Sequence, residues 1–398
     1  MLTMLATALL GGQVFAEPTG TTIEGGVKID DNYYGAYSKT ESVTGGNVTV
    51  KEEATGEVPV KAVVYGGCSD EAAASNNTVT MQGGTVQTIY GGNGYTGASN
   101  NTVIMKDGTV SNIRSGNGGT KGNAYNNTVI MTGGNVNMLY GGSSGNNYTA
   151  SGNVVIVTGG SITSALLAGC TFASDAKNNK VHLVGKGASN VYIEDARGNN
   201  DTYNGGNASI SFANVYGGYA PQGTSSGNSI DIYGTGITIT KQLQYVQILT
   251  FNITDGQMTG QNTEAALSLT TTAASLDGVD LQIKDLDVKE WTTGKTITLV
   301  QSTQAIQGLE DGKMVNITKD GKAVARGQLV LSNDDKTLSL NVQGSVPEPA
   351  TGTLGVFALA ALAARRRKNQ STTLPSHKNA RRGATLGVYP PRAEAGLR

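Results

Sequence analysis

A unit of two short apolar strands recurs along the chain, and this repeat constrains the fold more than any other feature. Clear copies are NNTVTMQGGTVQTIYGG (76–92), NNTVIMKDGTVSNIRSG (100–116) and NNTVIMTGGNVNMLYGG (126–142). Two aliphatic columns share one period of about 25 residues, which indicates a repeat architecture. We assign to them Val79, Val103, Val129, Val155, Val181, Ile210 and Ile230 for the first strand, and Val64, Ile89, Ile113, Leu139, Leu166, Val191 and Val215 for the second.

A unit with two strands and no helix cannot bury its own apolar face. Stacking solves this problem, because each rung then hydrogen-bonds to the next and the aliphatic columns join into one core. We therefore predict an all-β fold, a parallel β-helix over residues 17–239 with about eight rungs of about 25 residues each, right-handed by the crossover preference. The alternative is a β-propeller, which needs about 40 residues per blade.

Glycine and asparagine recur at fixed places in the unit. Glycine pairs at 83–84, 133–134 and 159–160 stand between the two strands, where a positive φ is needed. Asparagine pairs at one corner predict a ladder of amides that bond the rungs above and below. These pairs are 76–77, 100–101, 126–127 and 178–179. The first three also begin Asn-x-Thr sequons, but we favour the ladder, because buried corner amides would be inaccessible to a glycosyl transferase.

The repeat signals end near residue 240. Charge rises there, Trp291 is the single tryptophan, and segments such as SLDGVDLQIKDLDV and KTLSLNVQ alternate apolar and polar residues. Such alternation is typical of half-buried strands. We predict that residues 240–345 form a β cap or stem, which closes an edge that would otherwise invite end-to-end pairing.

Both ends of the chain carry segments that we interpret as addresses. MLTMLATALLGGQVFA has an apolar run and small residues before a cleavage point after Ala16, which predicts a signal peptide over 1–16. The alternative is a buried apolar N-terminal strand. Near the other end, an apolar stretch over 350–364 predicts a short hydrophobic transmembrane helix of about 22 Å. The cations that follow it would remain on the cytoplasmic side.

The segment VPEPATGTLGVFALAALAARRRK (346–368) resembles a PEP-CTERM sorting signal. The resemblance is carried by Pro347, Glu348, Pro349, Arg365, Arg366, Arg367 and Lys368. It implies export, transient anchoring in the inner membrane, processing by an exosortase-type enzyme, and a final place at the cell surface, in the outer envelope or in the extracellular polysaccharide matrix. An ordinary C-terminal anchor is the alternative. The solenoid-plus-stem layout is also similar to autotransporter passenger domains and adhesin-like surface proteins.

Charge is unevenly distributed along the chain. Residues 365–398 carry nine Lys and Arg against one Glu, so residues 1–364 hold 29 − 9 = 20 basic and 30 − 1 = 29 acidic side chains. A mildly acidic body makes nucleic acid an unexpected partner. The polar, basic segment 369–398 has no periodicity, and we predict that it is disordered.

Titratable groups are sparse in the repeats, which argues against catalysis. The four charged residues between 72 and 174 are Lys106, Asp107, Arg114 and Lys121. The best carboxylate cluster, Glu194 and Asp195 with Arg197 and Asp201, could serve a polysaccharide-cleaving enzyme or calcium, but a solvated loop is the simpler interpretation. We predict no catalytic site, no metal site and no cofactor, and we place His182 as an outward strand residue.

The two cysteines give a geometric prediction. Cys68 and Cys170 occupy equivalent positions four rungs apart, which is about 19 Å at about 4.8 Å per rung. A disulfide needs Cα atoms within about 7 Å. We therefore predict two free thiols.

The residue after each second-strand core position points outward, because side chains alternate along a strand. These positions hold Tyr65, Tyr90, Arg114, Tyr140, Leu167, Tyr192 and Tyr216. A line of tyrosines could stack on sugar rings, or the rings could stack on one another. We predict a secreted, surface-sorted, non-enzymatic protein with a structural or adhesive role and polysaccharide as a candidate partner. The alternatives are a polysaccharide-active lyase or hydrolase and a body whose role is unrelated to glycans.

Overall fold

The structure is a computed structural model that describes residues 14–16, 21–24, 26–29, 32–52, 62–206, 209–261, 263–270 and 274–346. The sorting motif at 347–349 and 365–368, the apolar stretch 350–364 and the tail 369–398 lie outside these residues. So does the predicted signal peptide, except for residues 14–16. In the described part of the chain, no helix has the length and apolar character that a membrane crossing requires.

Short strands follow one another along the chain. The N-terminal half contains β1 (Val14–Ala16), β2 (Thr21–Glu24), β3 (Val27–Ile29), β4 (Asn32–Ser38), β5 (Val43–Thr44), β6 (Asn47–Glu52), β7 (Val63–Ser69), β8 (Ala73–Ser75), β9 (Thr78–Met81), β10 (Thr85–Gly94), β11 (Gly97–Ser99), β12 (Thr102–Met105), β13 (Thr109–Asn117), β14 (Asn123–Tyr125), β15 (Thr128–Met131), β16 (Asn135–Ser143), β17 (Ala150–Ser151), β18 (Val154–Val157), β19 (Ser161–Cys170) and β20 (Ala176–Lys177).

The C-terminal half continues in the same way, with one short helix. Its elements are β21 (Lys180–Val184), β22 (Val191–Glu194), β23 (Asn200–Tyr203), β24 (Ile210–Tyr219), β25 (Ser225–Ser226), β26 (Ser229–Tyr233), β27 (Ile237–Gln244), β28 (Ile248–Ile253), α1 (Asp255–Thr259), β29 (Leu267–Leu269), β30 (Ala274–Ser275), β31 (Asp280–Asp285), β32 (Thr296–Ser302), β33 (Ile306–Gln307), β34 (Met314–Lys319), β35 (Lys322–Leu331) and β36 (Thr337–Ser345).

Parallel pairing from rung to rung builds three ladders of strands, which we call sheets 1, 2 and 3. Sheet 1 contains β6, β9, β12, β15, β18, β21, β26, β28, β31 and β34. Sheet 2 contains β4, β7, β10, β13, β16, β19, β24, β27, β29 and β32. Sheet 3 contains β5, β8, β11, β14, β17, β20 and β25. The predicted all-β parallel β-helix is confirmed.

The core lies where the inward residues of sheets 1 and 2 meet. Most of the predicted aliphatic columns are in register, and Val79, Val129 and Leu139 are fully buried. Between the sheets the chain turns at glycines with positive φ, such as Gly84 (φ 79°) and Gly134 (φ 80°). A side chain is strained in this region of φ/ψ space, which explains the recurring glycine pairs.

One part of the predicted register is wrong. Leu166 pairs directly with Val215, so Val191 is not a member of the second column. Val181 pairs directly with Ile230, so Ile210 is not a member of the first. Residues 185–206 belong to an insertion within a single rung, in which β22 and β23 pair as an antiparallel hairpin. Val191 of this hairpin has the spacing of the repeat, which explains its wrong assignment.

Parallel stacking also continues past the predicted boundary at residue 240. β28 pairs in parallel with β31, and β31 pairs in parallel with β34. Antiparallel pairing follows where β35 joins β34 and where β36 joins β35 and β32. At the opposite end, β2 pairs antiparallel with β6, and β3 pairs antiparallel with β4. A hairpin edge therefore covers each end of the parallel stack.

Candidate functional site

A ladder of buried asparagines runs along the corner between sheets 3 and 1. Each backbone N–H donates to the Oδ1 of the next member at 3.0–3.1 Å, and each Nδ2 donates to the same oxygen at 2.9–3.0 Å. The members are Asn77, Asn101, Asn127, Asn153, Asn179 and Asn228. The predicted ladder is confirmed, and it is longer than the asparagine pairs indicated.

The second amide hydrogen of these side chains is also used. Asn127 Nδ2 donates to the carbonyl of Ala98 at 3.1 Å, and Asn153 Nδ2 donates to that of Ala124 at the same distance. Each such amide therefore ties together three successive rungs. Because the amides are buried, leaving one of these groups unpaired would carry its full desolvation cost.

The residue before each ladder asparagine has a positive φ. Asn76, Asn100, Asn126 and Asn178 lie at φ 54–56°, and glycine takes this place at Gly152 and Gly227 with φ 63°. Asparagine and glycine are the residues that tolerate this conformation best. Asn-Asn and Gly-Asn are thus the same structural signal, and the sequence reasoning missed Asn153 and Asn228 because it considered only the pairs.

This arrangement corrects the accessibility argument about glycosylation. The asparagine that opens each Asn-x-Thr sequon is the corner residue, and Asn76 and Asn126 are exposed. The buried amide belongs to the residue after it. The ladder is real, but burial does not shield the sequon asparagines at these two corners.

The ladder explains the second glycine of the Tyr-Gly-Gly part of the repeat. A Cβ added to Gly92, Gly116 or Gly142 would overlap the side-chain amide of the ladder asparagine beside it. Glycine is therefore required at the sheet 2 bend so that the amide can approach the backbone closely. The repeated NN and YGG motifs are the two halves of one packing contact.

The predicted outward positions form a row of neighbouring side chains on sheet 2, with one exception. In register along the row are Tyr34, Tyr65, Tyr90, Arg114, Tyr140, Leu167 and Tyr216. Tyr192 is not a member, because it lies on the inserted hairpin, where it is 76% exposed. The inclusion of Tyr192 followed from the wrong register of Val191.

The tyrosines of this column cover one another. Tyr34 and Tyr65 stack with centroids 4.8 Å apart and planes 2° from parallel, and Tyr65 and Tyr90 stack at 5.0 Å and 7°. The Arg114 guanidinium lies 5.0 Å from the Tyr140 ring and 6.0 Å from the Tyr90 ring. Burial raises the pKa values of Tyr65 and Tyr140, so these phenols stay protonated at neutral pH. The ring faces within the stack are occupied by protein.

The cysteines occupy the predicted equivalent positions. The register runs from Cys68 through Asn93, Asn117 and Ser143 to Cys170, which is four rungs along. Both are free thiols, and burial raises the pKa of each to about 11. The thiol form therefore dominates at neutral pH, which makes both poor nucleophiles.

His182 points outward from sheet 1, as predicted, but it is buried. The inserted hairpin packs over the outer face of sheet 1, where Val191, Ile193 and Tyr203 meet Ile156 and Tyr233. On the same face of sheet 1, His182 Nδ1 lies 3.2 Å from the Tyr233 hydroxyl and 3.2 Å from Asp231 Oδ2. Burial lowers the pKa of His182 to about 4, so the ring is neutral at physiological pH.

The carboxylate cluster at 194–201 forms the tip of this hairpin. Asp195 accepts hydrogen bonds from the backbone N–H groups of Arg197 and Asn199 at 2.8 and 2.9 Å, and it pairs with the Arg197 guanidinium at 3.2 Å. Glu194 and Asp201 are exposed on either side. Asp195 thus organises a tight turn. Within the described ranges, no group of three or more His, Cys, Asp or Glu side chains is arranged to hold a metal ion.

A comparison with protein families matches residues 345–368 to the PEP-CTERM protein-sorting motif. The chain therefore carries this motif, which marks it as an exported protein that is sorted to the surface of the cell envelope. Exosortase-type enzymes recognise such motifs. No curated protein and no solved structure matches the chain.

Proposed function

We propose that the exported body is a non-enzymatic rod that serves as a structural or adhesive component of the cell envelope or its polysaccharide matrix. The observation that carries the proposal is the asparagine ladder with its glycine partners. The most regular side chains of the repeat are committed to holding rung on rung, so the repeat itself is a scaffold. A scaffold delivered to the surface acts through its shape and through the groups that it displays.

Two further observations support a non-catalytic role over a polysaccharide lyase or hydrolase. In the best carboxylate cluster, the Asp195 carboxylate stabilises a turn, where it accepts hydrogen bonds from backbone N–H groups and pairs with Arg197. His182 is buried, and its lowered pKa keeps the ring neutral. His182 has Asp231 beside it at 3.2 Å but is buried, and Asp195 is paired with Arg197; neither arrangement is the pair of carboxyl groups that glycoside cleavage requires.

The C-terminal motif supports a route to the surface. In this proposal, the apolar stretch 350–364 holds the protein in the inner membrane until an exosortase-type enzyme processes it at Pro347-Glu348-Pro349. The released body then associates with the outer envelope or the extracellular polysaccharide. Adhesin-like proteins with solenoid bodies offer the matching architecture.

The test uses the full-length protein as its native host exports it. Co-sedimentation with the host's secreted polysaccharide and with envelope fractions measures association, and release of new reducing ends or unsaturated sugars measures cleavage. We expect association without cleavage. Sustained release of sugar products, lost in an Asp195→Asn or Asp201→Asn variant, would establish the enzyme instead.

The tyrosine column remains a candidate glycan-facing row in this proposal. The parallel rings favour self-stacking, because a sugar would have to displace a neighbouring ring before it could stack. A double variant, Tyr90→Ala with Tyr140→Ala, separates the two roles. Reduced stability with unchanged matrix association supports self-stacking, and reduced association with unchanged stability supports the glycan role.

A further inference from the structure

The solenoid changes its path at β27, and an open cleft lies at that point. From β27 the chain passes through residues 245–247 directly into β28, and sheet 3 ends one turn earlier at β25. The next strand of sheet 2, β29, pairs only with Ile237–Ile239. On its other side, β27 pairs through Gln242–Gln244 with Asn214–Tyr216 of β24.

The shortened rung leaves part of the core accessible. Leu243 continues the buried column that contains Val215, yet it is only partly buried, as are Val246 and Val279. These three side chains line a cleft of about 460 Å³ together with residues 275–277. That volume lies within the range of about 300–1,000 Å³ that is typical of small-ligand sites.

Polar groups of both signs stand around this apolar surface. Lys241, Gln242 and Gln244 line the cleft from β27, and Asp277 lines it from the opposite segment. All four are exposed. Within the described part of the chain, neither Lys241 nor Asp277 has an ion-pair partner. The cleft thus offers both hydrogen-bond donors and acceptors, and the charges of Lys241 and Asp277 balance.

Three tyrosines stand together, of which Tyr245 lines the cleft, and their geometry differs from that of the stacked Tyr34, Tyr65 and Tyr90. Tyr245 lines the cleft and lies 5.4 Å from Tyr219 at an interplanar angle of 80° and 6.0 Å from Tyr216 at 53°. The Tyr216 hydroxyl donates to Gln242 Oε1 at 2.6 Å, which fixes the rim. Because these rings are tilted rather than parallel, they do not cover each other's faces as Tyr34, Tyr65 and Tyr90 do.

The backbone at Tyr245 is strained, with φ at 57°. Corners earlier in the solenoid use asparagine or glycine in this conformation, and a bulky side chain there is an outlier. The Tyr245 carbonyl accepts from the Gly218 N–H at 3.1 Å, so the bend itself needs only a backbone group. Strain of this kind concentrates at ligand-contacting positions. The bend does not require the Tyr245 side chain, so the aromatic ring is available to contact a ligand.

We propose that this cleft binds a short neutral oligosaccharide, an inference that rests on the proposed matrix-associated role and names its site. Sugar rings present apolar faces to tyrosine and hydroxyls to amide, ammonium and carboxylate groups, which is the combination that surrounds the cleft. An anionic glycan would meet Asp277 as well as Lys241. An extended peptide would rely mainly on main-chain hydrogen bonds. Such a peptide would use the tyrosine faces, the Lys241 ammonium and the Asp277 carboxylate less fully than a polyhydroxylated sugar ring would.

The test measures binding of neutral and uronic-acid-containing hexasaccharides to the full-length exported protein by calorimetry. We expect the neutral probes to bind, and Tyr245→Asn, which tolerates the same φ, to weaken binding about tenfold, as loss of about 1.4 kcal/mol implies. Gln244→Ala and Asp277→Ala change exposed side chains and keep the test valid if Tyr245→Asn fails to fold. Tyr192→Ala is the matched control, because it removes an exposed tyrosine outside the cleft.

The outcomes separate this site from the proposed function. Neutral-glycan binding that all three cleft variants leave unchanged overturns the cleft assignment and leaves the matrix role standing. Absence of any hexasaccharide binding also overturns the cleft assignment, while co-sedimentation with the secreted polysaccharide judges the broader role. Preference for uronic-acid probes, or saturable binding of an extended peptide that Tyr245→Asn abolishes, assigns the cleft to a different ligand class.

Discussion

Replacing one asparagine in the middle of the ladder should cost far more than an exposed substitution beside it. In an Asn127→Ala variant, the Asn101 backbone N–H loses its acceptor at 3.1 Å and one Asn101 Nδ2 hydrogen loses its acceptor at 3.0 Å. The carbonyl of Ala98 loses a donor as well. These groups are buried, and alanine offers nothing in exchange.

The magnitude follows from the two orphaned donors. Each buried unsatisfied group costs about 1–3 kcal/mol, so the pair costs about 2–6 kcal/mol. A water molecule that entered the vacated polar space would bring the loss to the lower end, because it could bond to the same donors. We expect the free energy of unfolding of Asn127→Ala to fall by at least about 2 kcal/mol.

Two measurements check this expectation. Urea denaturation gives the change in stability, and hydrogen exchange over residues 95–105 reports local opening, because solenoid rungs can unfold separately. The control is Asn126→Gly, which changes the adjacent corner residue to the one that Gly152 and Gly227 use at the same φ. A loss for Asn127→Ala that is within about 0.5 kcal/mol of that for the control would refute the ladder as a source of stability.

Three other predictions concern packing, pH and sorting. Gly116→Ala should destabilise the protein to an extent comparable with Asn127→Ala, because its Cβ would overlap the Asn127 amide, and a melting temperature equal to wild type would contradict this packing. His182 should make the protein less stable as pH falls from about 6.5 towards 4, because the unfolded histidine takes up a proton near 6.5 and the buried one only near a pKa of about 4. Its full contribution is about 3 kcal/mol, and urea titrations across this pH window should show a flatter profile for His182→Gln; equal slopes would show that other groups dominate. For sorting, a Pro347→Ala, Pro349→Ala double variant should accumulate unprocessed, and mass spectrometry of the wild-type mature protein should find a C-terminus upstream of residue 369; a mature product that keeps 369–398 would end the sorting hypothesis.

The sequence was informative where one residue type has one structural use. Apolar columns on a fixed period reported the parallel stack, since a strand at that spacing can bury its aliphatic residues only against the next rung. The alternation rule also identified the outward row correctly up to Leu167. Asparagine at the buried corner was predictable for the same reason, because an amide there bonds in both directions along the stack.

The failures arise where tertiary contacts decide between equivalent patterns. Val191 has the spacing of a core residue, but it buries its side chain under a hairpin against the outside of sheet 1. Only the pairing of Leu166 with Val215 reveals this. Strands after residue 240 lack the corner signals because sheet 3 ends at β25, although the parallel pairing persists. The cleft beside Tyr245 lies where residues 245–247 join β27 to β28, and no local motif marks it.

The two ends of the asparagine ladder are closed by different chemistry. The first Oδ1, on Asn77, is taken by the Gly46 N–H at 2.8 Å, and the last donors, on Asn228, are taken by Gln247 Oε1 at 2.9 and 3.2 Å. A second molecule therefore cannot extend the series of amides at either end. Gly46 and Gln247 therefore cap the ladder at its two ends. Because each rung between these caps adds one asparagine, the sequence fixes the length of the ladder. Duplication or deletion of a whole repeat between the two caps would change the length of the ladder in steps of one rung and would leave both caps intact.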